Sequence, residues 1–150
     1  MSIVVATIHI DAPPQAVWDM VMDPARTLEW VTIARKVEHI DDGPLREGFR
    51  MDQTLCLRGV NFKVKWSLEK LDEPWVAKWE GRGPARSTAR IENRLSERDG
   101  GTHFDYRNEF KAPMGPLGAI TSKALVGGIP ELEANASLAR LKELLEKRAG

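Results

Sequence analysis

Between Ile33 and Lys111 the chain carries six β-rich runs separated only by short, turn-rich connections. Ile33–Ile40 stops at Asp41-Asp42-Gly43-Pro44, and Phe49–Leu57 and Phe62–Leu71 are joined through Arg58-Gly59-Val60-Asn61. Trp75–Glu80 follows Glu73-Pro74, Ser87–Glu97 follows Gly81-Arg82-Gly83-Pro84, and Thr102–Lys111 follows Asp99-Gly100-Gly101. Parallel neighbours need a crossover of about a dozen residues or more, so sequential antiparallel pairing is the economical topology. The runs alternate with period two. Phe104, Tyr106, Asn108 and Phe110 share one face, opposite His103, Asp105, Arg107, Glu109 and Lys111. Phe62, Val64, Trp66 and Leu68 likewise alternate with Lys63, Lys65, Ser67 and Glu69. Such a sheet has one solvated face and one that must be covered.

The flanks supply the remaining elements. Ile3–Ile10 reads as a further strand, stopped by Ala12-Pro13-Pro14, with Asp11 as the expected N-cap of a short amphipathic helix over 14–22. Asp23-Pro24 restarts the chain as a second short helix, with Leu28 and Trp30 near its end. A helical stripe then runs through Leu117, Ile120, Ala124, Gly128, Glu131, Asn135, Leu138, Leu141 and Leu145, bent near Gly127-Gly128 and Pro130. The expectation is one α+β domain over 1–150: seven antiparallel strands, two short helices after the first, and a long C-terminal helix covering the apolar face.

The 150 residues include 22 Lys+Arg and 22 Asp+Glu, a net charge of zero, which removes the attraction that nonspecific nucleic-acid binding needs. One cysteine, Cys56, excludes an internal disulfide and a multi-cysteine zinc site. His9, His39 and His103 are scattered, and no HxH or HExxH spacing occurs, so no metal and no cofactor is expected. Apolar runs fall short of the ~20 residues of a membrane span. The start, Met1-Ser2-Ile3-Val4-Val5, lacks the pattern of a secretory signal, and a cytoplasmic protein is expected.

Several motifs in this order resemble the START-like, birch-pollen-allergen-like (SRPBCC) superfamily, and within it the polyketide cyclase/dehydrase-like branch. They are His9-Ile10-Asp11-Ala12-Pro13-Pro14 with Val17-Trp18-Asp19, then Asp23-Pro24 and Leu28-Glu29-Trp30. Gly43-Pro44-Leu45-Arg46-Glu47-Gly48, Gly100-Gly101-Thr102 and Leu138-Ala139-Arg140-Leu141-Lys142 complete the set. The resemblance implies a helix-grip fold, with a cavity between sheet and helix that takes lipids, steroids, polyketides or other apolar small molecules. Some members cyclise or aromatise a substrate; others are carriers or accessory proteins.

With that architecture, polar residues on the apolar faces become informative. Gln53 is in phase with Phe49, Met51, Leu55 and Leu57; Ser87 and Asn93 are in phase with Ala89, Ile91 and Leu95. Tyr106 and Asn108 share a face with Phe104 and Phe110, and Glu131 and Asn135 lie on the helical stripe. An unpartnered buried polar group costs about 1–3 kcal/mol, so a wet pocket or a ligand's polar group accounts for this many better than a closed core does. Trp30, Met51, Phe62, Val64, Trp66, Trp79, Ile91, Phe104, Ile120 and Ala124 are the expected apolar wall. The competing reading is an ordinary filled core, because a register slip of one residue inverts every face.

The leading expectation is a binder of a hydrophobic or amphipathic small molecule, as monomer or dimer. An enzyme is the alternative. Glu131, facing Tyr106 or Asn108 across an apolar cavity, would have a raised pKa and could serve as acid or base in a cyclisation or dehydration. The preferred reading has Glu131 pointing to solvent at the helix bend, because Gly127, Gly128 and Pro130 disturb the helical phase there. A third option, ranked last, is an accessory module that docks a protein through the outer sheet face, where Lys63, Lys65, Lys78, Asp105, Arg107 and Glu109 read as an ordinary solvated surface.

Overall fold

The computed structural model describes residues 2–111 and 129–149. Strand β1 (Ser2–Ile10) turns its Val4, Ala6 and Ile10 inward and leaves Ile3 and Val5 exposed. Helix α1 (Pro14–Val21) starts on Pro13 and Pro14, with no side-chain cap. Asp11 therefore does not cap it: proline removes the early donor that a cap would satisfy, and the Asp11 amide instead donates to Glu146 Oε2 at 2.9 Å. Asp23 does cap, accepting from the Ala25 amide at 2.9 Å in the 3-10 turn Pro24–Arg26. Helix α2 (Thr27–Trp30) follows directly.

The sheet then runs through β2 (Ala34–Glu38), β3 (Arg50–Leu57), β4 (Val60–Asp72), β5 (Val76–Arg82), β6 (Thr88–Arg98) and β7 (Gly101–Lys111). Its order is β1-β7-β6-β5-β4-β3-β2, antiparallel throughout, so β2 to β7 pair sequentially and β1 closes against β7. The sheet is curled, and with α3 (Ile129–Ala149) it makes the expected helix-grip α+β arrangement. The β3–β4 turn is set by two residues with positive φ, Arg58 at 48° and Gly59 at 79°. That backbone matches the right-handed twist of the strands it joins.

Register fixes which side chains meet inside. Met51 pairs with Trp66, Trp66 with Gly81, Leu68 with Trp79, Trp79 with Ile91, Asn93 with Tyr106, and Ile91 with Asn108. A register shift between Leu68 and Lys70 lets Leu71 pack on the same core as Leu68, although the two are three apart. Outside, Lys63 pairs with Glu38 at 3.3 Å, Lys78 with Glu92 at 3.7 Å and Arg107 with Glu109 at 2.7 Å. These solvated pairs contribute about 0–1 kcal/mol each.

One end of the space between sheet and helix is packed solid. Trp18, Phe104, Leu138 and Leu141 are essentially inaccessible there, and the Trp18 indole N–H donates to Glu73 at 3.0 Å. Polar ties hold α3 against β1. Lys142 Nζ donates to the His9 carbonyl at 2.7 Å and pairs with Glu146 at 2.6 Å. The Asp11 amide, and next the Lys142 ammonium, hold the Glu146 carboxyl below its ordinary value. A lowered folded-state pKa gives stability that is complete above the unfolded pKa of 4.5 and is lost as pH falls through the folded value. Glu146→Gln should therefore lower the urea midpoint at neutral pH, and the gap from wild type should close as pH drops below that window.

Gly81 is closely packed against the Trp66 ring. A Cβ there would sit 2.6 Å from Trp66 Cζ3 and 2.7 Å from Val64 Cγ1. Gly81→Ala should cost about 1–3 kcal/mol in urea unfolding and shift the tryptophan emission, because the Trp66 ring has to move.

Candidate functional site

Beyond the packed end, the same faces enclose a cavity of about 230 Å³. The β3–β4 wall is Met51, Gln53, Leu55, Phe62, Val64 and Trp66; Trp79 continues it on β5. Ala89, Ile91 and Asn93 on β6 and Tyr106, Asn108 and Phe110 on β7 form the next wall. Thr27 and Trp30 of α2 close one side, and Pro130, Glu133, Ala134, Ser137 and Leu138 of α3 close another. Ser87 lines the cavity from the β5–β6 loop, with its hydroxyl turned back to the Pro84 carbonyl at 2.7 Å.

Most residues chosen from the sequence thus meet at one site: Trp30, Met51, Gln53, Phe62, Val64, Trp66, Trp79, Ser87, Ile91, Asn93, Tyr106 and Asn108. Phe104 does not line it. It lies two residues before Tyr106 on the same face, where α1 and the α3 leucines fill the space, and it is 0% exposed. Glu131 and Asn135 are exposed in the first turns of α3, and the Asn135 side chain donates to the Glu131 carbonyl at 2.9 Å. The reason is helix phase. From Leu138 the buried stripe steps back by four to Ala134, not by three to Asn135, which carries Glu131 off the covered arc. Ile120 and Ala124 lie outside the described residues.

The carboxylate on the cavity wall is Glu133, which the sequence pattern did not single out. It accepts from the Thr32 hydroxyl at 2.5 Å, while Ser137 Oγ accepts from the Thr32 amide at 3.0 Å. Arg140 Nε donates to the Glu29 carbonyl. These bonds pin α3 to α2 and to the segment that follows it. No local signal marks them, since Thr32 and Glu133 are distant in the chain. The Ala134–Leu138 spacing was the available clue to the correct stripe.

The polar atoms of the wall divide into partnered and unpartnered. The Trp66 indole N–H donates to Gln53 Oε1 at 3.1 Å, which fixes the ring. Trp30 Nε1, Asn93 Oδ1 and Asn108 Oδ1 are buried without a hydrogen-bond partner. All three belong to cavity-lining residues. Asn93 sits opposite Tyr106 across the β6–β7 ladder, and Asn108 is the next inward residue on β7. Burial pushes the Tyr106 phenol up to about 12, with the Asn108 side chain opposing the shift. The hydroxyl is therefore neutral and keeps its proton across the physiological range. Glu131 and Tyr106 do not form the facing acid–base pair considered above, because Glu131 is exposed in the first turn of α3 and does not line the cavity that Tyr106 lines. Cys56 is half-buried and away from the cavity lining. Among the described residues no group of three or more His, Cys, Asp or Glu is placed to hold a metal ion, and no helix is long and apolar enough to cross a membrane.

A curled antiparallel sheet gripping a C-terminal helix around a mostly apolar cavity defines a class of ligand-binding folds. The chain belongs to the polyketide cyclase / dehydrase and lipid transport family of the START-like (SRPBCC) superfamily, whose profile matches residues 1–146. It is similar to Toxin Rv0910 of Mycobacterium tuberculosis (strain H37Rv), 24% identical over 127 residues, which span 83% of this chain and 88% of that protein. The fold is shared with TTHA0849 from Thermus thermophilus, at a TM-score of 0.80 and 16% identity over 99% of this chain and 100% of that one. A conserved protein from Geobacillus kaustophilus has a TM-score of 0.72 at 16% identity, over 97% of this chain and 96% of that one.

Tyr106 is the single tyrosine of the chain, so its ionisation can be read directly from near-ultraviolet absorbance. Tyrosinate should not appear until about pH 12 or until the protein unfolds, whichever comes first. Ionisation near the ordinary value of 10.0 in the folded protein would show that the phenol is solvated.

Proposed function

We propose that the chain binds a hydrophobic or amphipathic small molecule, of lipid-, steroid- or polyketide-like character, in the cavity between sheet and α3. The observation that carries this reading is the set of unpartnered polar atoms on an otherwise apolar wall: Trp30 Nε1, Asn93 Oδ1 and Asn108 Oδ1. A core that only had to be stable would replace these groups with carbon, because each orphan costs about 1–3 kcal/mol. A binding site uses a few such groups on apolar walls to orient what the walls bury. Burial of the ligand's apolar area supplies about 25 cal/mol per Å². The family description, with its cyclase, dehydrase and lipid-transport members, supports small-molecule occupancy.

The catalytic alternative has less support. Glu133 lines the cavity but accepts a short bond from Thr32, which ties it to the α2–α3 junction. The docking alternative also weakens, since Lys63, Lys78 and Arg107 on the outer face already pair with neighbouring carboxylates.

Native mass spectrometry after incubation with a bacterial lipid extract tests the proposal. Wild type should show a discrete non-covalent adduct. The cavity-filling variant Ala89→Trp should lose it while keeping the circular dichroism of the folded chain. Equal adduct in both proteins, or none in wild type with this extract and with the two-ring probes below, would overturn the reading.

A further inference from the structure

Resting on that reading, we infer that the cavity selects an uncharged ligand carrying a hydroxyl group, held at the β6–β7 wall by Asn93, Tyr106 and Asn108, and that it discriminates against carboxylates. Asn93 is 6% exposed and makes no hydrogen bond through Oδ1. Asn108 Oδ1 is also unpartnered. Both oxygens lie just beneath the cavity surface, and a ligand O–H or N–H reaches them once the amides turn toward the cavity. Asn93 and Tyr106 face each other in the ladder, and Asn108 is diagonal to Asn93, within about 7–8 Å. The Tyr106 hydroxyl is hydrogen-bonded to the Asn108 side chain and keeps its own proton to donate. A neutral alcohol or phenol fits this triad, because one oxygen can donate to an amide carbonyl and accept from the tyrosine.

A carboxylate meets the opposite environment. At the β6–β7 wall both amide oxygens present negative partial charge and Tyr106 supplies no cation; the unpartnered donor of the lining, Trp30 Nε1, belongs to α2 and not to this wall. Among the described residues the cationic side chain on the lining is Lys111, which is exposed at the end of β7, three residues beyond Asn108. Burying an anion against unpaired acceptors is costly. An ether or ketone oxygen is a weaker misfit: it accepts from Tyr106 but leaves the asparagine oxygens without a donor.

A matched two-ring series separates these terms: 2-naphthol, 2-methoxynaphthalene, 2-naphthoate and naphthalene, measured by isothermal titration at neutral pH. 2-Naphthol should bind at least about tenfold more tightly than each of the other three. Asn93→Leu and Asn108→Leu should each reduce that preference to within about threefold, while leaving the apo melting temperature unchanged or raised, since each removes an orphaned acceptor. The melting temperature also shows whether the variant is folded. Equal binding of naphthol and its methyl ether, or tighter binding of naphthoate, would overturn the hydroxyl selection and leave the cavity reading standing. A wild-type preference that survives in both leucine variants would overturn the role of the two amides. Failure of all four probes to bind would overturn the inference, and with a negative lipid-extract result the cavity reading too.

Discussion

One helix has to cover the apolar face of a seven-stranded sheet, and it is too narrow to do so. Six inter-strand spacings of about 4.8 Å make a flat sheet about 29 Å wide, whereas a helix with its side chains is about 10–12 Å across. The sheet can bury its inner face only by curling around the helix. A curled sheet and a straight cylinder then touch along part of their length. In this chain the contact is made where Leu138, Leu141 and Leu145 of α3 meet Phe104, Ile10 and the α1 side chains. Beyond that contact a cavity remains between sheet and helix. The cavity follows from this mismatch before any ligand is considered.

Large aromatics reduce that space without filling it. Trp66 and Trp79 both point inward from adjacent strands, and Gly81 makes room for the Trp66 ring. Gln53 then accepts the indole N–H, which fixes one edge of the ring. Polar atoms left unpartnered set the energetics of what remains. Three of them at about 1–3 kcal/mol each are a sizeable share of a stability of about 5–15 kcal/mol. The solid end of the core has to offset that cost. This explains why its residues are so completely buried, and why α3 is tied down by Lys142, Glu146 and Thr32 as well as by leucines.

The strands were legible because period-two alternation and short turns are local signals. The runs at 49–57, 62–71 and 102–111 correspond to β3, β4 and β7 within a few residues, and Asn93, Tyr106 and Asn108 fell on the expected face. The register shift in β4 was not legible, since nothing in Leu68-Glu69-Lys70-Leu71 distinguishes a bulge from a continuous strand. Helix phase failed for a different reason. Before Leu138 the helix has few apolar residues, so a stripe extended backward can step by three or four. The two choices exchange Asn135 and Glu131 for Ala134 and Pro130. Only the long-range bonds from Thr32 to Glu133 and Ser137, about a hundred residues apart, decide between them. Trp75 shows the limit of alternation at an element's end: in phase with Ala77 and Trp79 by sequence, it precedes β5 and is 40% exposed.

A TM-score of 0.80 at 16% identity to the Thermus thermophilus protein shows how little of this fold depends on particular side chains. Alternation, tight turns and a leucine stripe are patterns that many sequences satisfy. The division between stability and specificity is correspondingly short in this chain. On β7, Phe104 belongs to the solid core, and Tyr106 and Asn108, two and four residues later on the same face, belong to the cavity. On β6 the same step leads from Leu95 to Asn93. A substitution at Phe104 or Leu95 acts on folding, because closely packed neighbours surround it. On the proposed reading, one at Asn93 or Asn108 acts on what the cavity accepts, because both residues line it. If the cavity binds as proposed, ligand selection changes along a strand by a single inward step without disturbing the packing that holds the sheet to its helix.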